Sequence, residues 1–143
     1  MRQGKKLTLA SIAVGAIALA GIAPAAASGA SYTGTFPDGG TVSFKTVTRH
    51  AKIVRVKEFA WSDVPVTCKQ GDSTYDGNLP VSLRVTNRAF SIQALGTDLT
   101  QYVSGHFSKR GNRANGTLNV FGILGLGETG CATGKLSWSA VRR

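Results

Sequence analysis

From Ser31 onward, apolar side chains return at every second position and short polar clusters interrupt them. A period of two places alternate residues on opposite faces of a strand, and no window beyond residue 30 carries a helical period instead. In "TVSFKTVT" Val42 and Phe44 share one face, with Ser43 and Lys45 on the other. "KIVRVKEFAW" sets Val54 and Val56 against Arg55 and Lys57, and "VSLRV" sets Val81, Leu83 and Val85 against Ser82 and Arg84. "AFSIQA" aligns Phe90, Ile92 and Ala94. "LTQYVSGHF" puts Leu99, Val103, Gly105 and Phe107 opposite Thr100, Tyr102, Ser104 and His106. "TLNVFG" offers Leu118 and Val120, and "KLSWSA" offers Leu136, Trp138 and Ala140. With "SYTGTF" and the short "VPVTC", about nine strands are predicted.

The interruptions are turn chemistry. "PDGG" at Pro37–Gly40 combines a preset φ with residues that tolerate positive φ. "TNRA" at Thr86–Ala89 and "KRGN" at Lys109–Asn112 have hairpin length. Asn115-Gly116 is read inside a strand, because "RANGTLNV" needs it to reach back across the preceding turn. The segment Lys69–Pro80 reads as one long mobile loop. Short strands with no helices between them predict an all-β fold, a small antiparallel β-sandwich or β-barrel. Trp138 falls on the core face, where its indole N–H needs a partner. Gly105 and Gly116, inside strands, predict a close backbone approach or a bulge.

The first 27 residues follow different rules. Arg2, Lys5 and Lys6 precede an uncharged run, Leu7–Ala23, and Pro24 then breaks it before "AAASGA". A basic start, an apolar run and small residues at Ala25 and Ala27 predict a signal peptide over 1–27, cleaved before Ser28, with a second option before Ser31. The run has 17 residues rich in Ala and Gly, short of the roughly 20 strongly apolar ones that a spanning helix needs. No Cys follows it to carry a lipid. The chain has 143 residues, and without the 27 of the leader 116 remain, a single β domain over 28–143. No transmembrane segment is expected in that portion, which is predicted to be secreted.

Export also interprets the cysteines. Only Cys68 and Cys131 exist, and in an oxidising compartment an even, minimal count reads as one structural disulfide. The formal net charge is +10; loss of the leader's three cations leaves +7. Such a balance serves solubility, and it also favours anionic partners such as cell-wall polymer, lipid headgroup or nucleic acid.

Chemistry-bearing motifs are sparse. Gly125–Gly130, "GLGETG", matches G-x-G-x-x-G, yet only 13 residues follow it and no βαβ unit can be completed. It reads as a glycine-bearing hairpin loop. Asp72 and Asp76 lack the alternating oxygen ligands of a calcium loop. Two cysteines and the distant His50 and His106 show no metal-ligand spacing, and each His reads as a surface residue. No acid pair and no G-x-S-x-G elbow is present. The sequon Asn115–Thr117 has meaning only in a eukaryotic secretory pathway. Nothing nominates a catalytic residue, a cofactor or a metal, and whether the chain is an enzyme stays open.

Basic residues are the feature with most pull. Arg49, Lys52, Arg55 and Lys57 fall within nine positions, and Lys109, Arg110 and Arg113 cluster at a turn. One reading makes Arg55 and Lys57 a charged sheet edge that discourages aggregation. The other makes Arg55, Lys57, Lys109 and Arg110 a contact surface for an anionic cell-wall polymer or another polyanion. The expected function is a non-catalytic extracellular binding or interaction module with a basic surface. A small secreted enzyme or enzyme inhibitor with a loop-built site is one alternative, and an apolar-ligand binder in a barrel is another.

The order of these segments resembles a group of uncharacterised secreted proteins of high-GC Gram-positive bacteria. The resemblance rests on Tyr32 and Gly34, Phe44, Cys68, and the V-x-G-x-F of Val103, Gly105 and Phe107. It continues through the A-x-G-T-L of Ala114, Gly116, Thr117 and Leu118. It ends in the C-x-x-G-x-x-x-W-x-A-x-R of Cys131, Gly134, Trp138, Ala140 and Arg142. It implies an exported all-β domain with one disulfide and brings no activity with it.

Overall fold

The computed structural model describes Gly21, residues 28–124 and residues 128–143. The expected signal peptide lies outside the described residues apart from Gly21, as do Gly125–Gly127 of the glycine motif. Alternation becomes structure directly. In β1 (Ser31–Thr35) and β2 (Thr41–Arg49), Tyr32, Val42 and Phe44 turn inward and are buried, while their neighbours face out. β6 (Ala89–Leu95), β7 (Leu99–Phe107), β8 (Arg113–Leu124) and β10 (Leu136–Arg142) do the same, burying Phe90, Val103, Phe107, Leu118, Val120, Leu136 and Trp138.

The remaining strands are β3 (Lys52–Cys68), β4 (Gly71–Asn78), β5 (Leu83–Arg84) and β9 (Glu128–Ala132). All pairings are antiparallel, and no helix occurs among the described residues. The path β10-β1-β2-β3-β9-β8 closes on itself through β8 and β10, a six-stranded barrel. β7 and β6 extend from the other edge of β8, and β4 and β5 from the other edge of β3. The all-β barrel with one disulfide is therefore the fold.

Three expectations change. The stretch Lys52–Cys68 is one strand of 17 residues, not two, because Glu58 (φ 53°) and Asp63 (φ 56°) adopt left-handed bulge conformations that bend it without ending it. The segment Lys69–Pro80 is no mobile loop: β4 pairs with β3 from Ala60↔Asn78 to Cys68↔Gly71. Its inward positions are Ser73, Tyr75 and Gly77, and with a polar and a side-chain-less residue on either side Tyr75 alone does not make an alternating pattern. Gly77 is required, because a Cβ there would lie 2.5 Å from the Trp61 ring. β9, a tenth strand, was hidden in a glycine-rich stretch whose Gly130 holds φ 60°. Around Arg55 β3 is flanked by β2 on one edge and β5 on the other, so Arg55 lies on an outer wall and not on a sheet edge, whereas Lys57 is paired with β2 alone.

Aromatic rings fill the interior. Tyr32 stacks on Phe44 (4.9 Å), Phe44 on Phe59 (5.5 Å), and Trp138 meets Phe59 edge-on (5.6 Å). Such pairs contribute about 0.5–1.5 kcal/mol each beyond the burial of their area. Gly105 and Gly116 make the close approach their position predicts: a Cβ on either would stand 2.7 Å and 2.6 Å from Trp138 Cζ2. The same tight seat leaves the Trp138 N–H without a partner among the described residues, as is the Trp61 N–H. Here shape governs over hydrogen bonding.

The Cys68–Cys131 disulfide joins the end of β3 to β9. Those strands share a single register pair, Thr67↔Ala132, so the bridge closes the barrel at its thinnest seam.

Candidate functional site

In an antiparallel barrel alternate turns fall at the same end. The β2–β3, β5–β6 and β7–β8 turns therefore gather together. Each is tight: His50 and Ala51 (φ 48° and 60°) make the first, Asn87 and Arg88 (51° and 63°) the second, and Gly111 (66°) closes the third. Two consecutive left-handed residues are the mark of two-residue hairpin loops. The end of β10 and the beginning of β1 arrive at the same place, with Tyr32 opposite Arg142.

Backbone bonds bind these turns to one another. Phe107 N–H donates to Arg88 O (2.8 Å), Val85 N–H to Val54 O (3.0 Å) and Arg142 N–H to Asn112 O (2.9 Å). The Tyr32 hydroxyl donates to Gly111 O, tying β1 to the β7–β8 turn. Burial raises the Tyr32 hydroxyl above its usual value of 10.0, against the opposing pull of Arg142 and Thr46.

Between the turns lies a cleft of about 600 Å³. Its floor is Tyr32 and Phe107, with the half-buried Ala30, Ile53, Val54 and Val85. Its wall carries Lys52, Arg88, Lys109, Arg110 and Arg142, and no Asp, Glu, His or Cys lines it. The one ion pair among the described residues is Lys45–Glu58 (2.6 Å) on the outer wall, so none of these five cations is paired with a carboxylate.

The structure divides the four basic residues expected at a contact surface. Lys109 and Arg110 line the cleft. Arg55 lies outside it beside Arg49 and Arg84, where its guanidinium donates to Ser82 Oγ (3.1 Å). Lys57 lies farther along β3, opposite Lys45. Arg88 and Arg142 are not among the contact residues expected from sequence, although a signal existed. Each lies at a turn or strand end that antiparallel pairing sends to the same pole as Lys109.

The other motifs acquire structural roles. Asp76 Oδ1 accepts from the Asp63 N–H (2.7 Å) and Asp72 Oδ1 from the Thr67 hydroxyl (2.9 Å), so both serve β3–β4 pairing. His106 is exposed on β7, and His50 forms a turn. Among the described residues no group of three or more His, Cys, Asp or Glu gathers to hold a metal, and no helix is long and apolar enough to cross a membrane. Compared with protein-family models, curated proteins and solved structures, the chain matches none.

Proposed function

We propose that this chain is an exported, non-catalytic binding module whose cationic pole engages an anionic polymer or headgroup outside the cell. Export rests on the leader over 1–27 and on a disulfide of the kind that persists in oxidising compartments. Binding rests on one observation: five cations from four chain segments converge on a concave surface that holds no carboxylate. Cations gathered around one concave surface make a positive field there that draws an anion. Arg55 and Lys57 continue the positive surface along the outer wall. The cleft offers neither a carboxylate nor an imidazole for acid–base work, and the axis is filled by rings, which favours binding over catalysis or an interior ligand.

A heparin column under a salt gradient tests the reading. The protein should be retained at low salt, and K109Q/R110Q should elute markedly earlier, by more than R55Q/K57Q. Passage of the unmodified protein in the void volume at low salt overturns it.

A further inference from the structure

The geometry points to an amphiphilic anion as the occupant of the cleft: a phosphate-class head joined to an apolar chain or ring. This rests on the anion-binding reading above and narrows it. A bare polyanion uses only the cationic wall. Yet behind that wall Ile53, Val54 and Val85 are half-buried, and Phe107 closes the bottom. A ligand that covers this floor and also reaches the wall satisfies both surfaces at once.

Size and charge agree. A cleft of about 600 Å³ falls within the roughly 300–1,000 Å³ of pockets that enclose small ligands, and its lining is divided between apolar side chains and polar ones, Thr46, Thr48, Asn87 and Ser108 among the latter. Three of the wall cations, Arg88, Arg110 and Arg142, carry the planar fork that matches phosphate oxygens in pairs. Several cations around one head favour a dianionic phosphate monoester over a single carboxylate. The backbone beneath the wall is held before any ligand arrives, since Phe107 N–H donates to Arg88 O and Arg142 N–H to Asn112 O, while the exposed cationic side chains are left to order on the ligand. Ordering of the backbone is then not part of the cost of binding, although ordering of the side chains is.

The test is calorimetric titration of the protein with dodecyl phosphate below its micelle concentration, beside inorganic phosphate, dodecyl maltoside, long-chain polyphosphate and phosphatidic acid vesicles. Dodecyl phosphate should bind one to one, at least ten-fold tighter than inorganic phosphate or the neutral dodecyl maltoside. Lengthening the chain from octyl to dodecyl should raise affinity roughly three- to four-fold per methylene that reaches the floor. R88Q/R110Q should weaken dodecyl phosphate ten-fold or more, and I53S should flatten the chain-length dependence, each with an unchanged circular dichroism spectrum. Vesicle binding alongside binding of the monomer supports the inference with a membrane lipid as source; monomer binding alone supports it with a free amphiphile. Binding of polyphosphate or vesicles without dodecyl phosphate overturns the amphiphile and leaves the polyanion reading standing. Absence of all binding overturns both.

Discussion

At one pole of the barrel Cys68 is bonded to Cys131, the turns and strand ends there carry Asp38, Asp72 and Asp98, and the β3 bulge carries Asp63. At the other pole three left-handed hairpin turns and a strand end carry Lys52, Arg88, Lys109, Arg110 and Arg142. The first pole is held covalently at a seam of one register pair. The second is held by backbone bonds between turns and leaves its charges unopposed. A covalent link thus lies at one end of the barrel and a positively charged cleft at the other. The two poles should respond separately to perturbation.

The largest effect belongs to the closed pole. The double substitution C68A/C131A should lower unfolding free energy by about 4 kcal/mol, since the bridge spans 63 positions of sequence. Urea unfolding measures it, and retention on heparin should survive wherever the variant remains folded. Equal loss of retention and stability would show that the poles are not independent.

Tyr32→Phe sharpens the comparison from the open side. It deletes the bond to Gly111 O, should destabilise by about 1 kcal/mol, and should loosen the β7–β8 turn without affecting the disulfide. Amide exchange of Gly111 and Asn112 is the readout.

Alkaline pH acts on both poles. Burial raises Tyr32 and also Tyr75 of β4 above their ordinary value of 10.0, the latter against an opposing pull from Gln101. A phenol whose folded pKa exceeds its unfolded one favours the fold below about pH 10, and that contribution is lost as pH rises through the folded value. Stability should fall above pH 10, and Tyr32→Phe and Tyr75→Phe should each flatten the fall.

The smallest effect is expected on the outer wall. A hydrogen bond from Lys45 depresses the Glu58 carboxyl, so its contribution is present above the ordinary carboxylate range and is lost as pH drops through the folded value. Both side chains are more than half exposed (53% and 60%), so K45A should change acid unfolding barely at all.

The fold was legible wherever the inward residues are large and apolar, as at Val42 and Phe44 or Leu136 and Trp138. It was hidden in β4, whose inner face is given over to Trp61, so that Gly77 and Ser73 stand where a hydrophobe would otherwise signal a strand. It was hidden again in β9, where Cys131 is the buried residue of "TGCA". The site was half legible. Lys109 and Arg110 cluster in sequence, whereas Arg88 and Arg142 join them only through the antiparallel return of the chain. Adjacency found the first pair, and counting which turns share a pole finds the second.

The central claim is that the open, cationic pole receives an anion. Titration of ¹⁵N-labelled protein with an oligophosphate, followed by amide chemical shifts, tests it most directly. Shifts concentrated at residues 51–54, 85–88 and 108–111 are the predicted result. Shifts confined to the outer wall at Arg55 and Lys57, or at the disulfide pole, or no shifts at all, would contradict it.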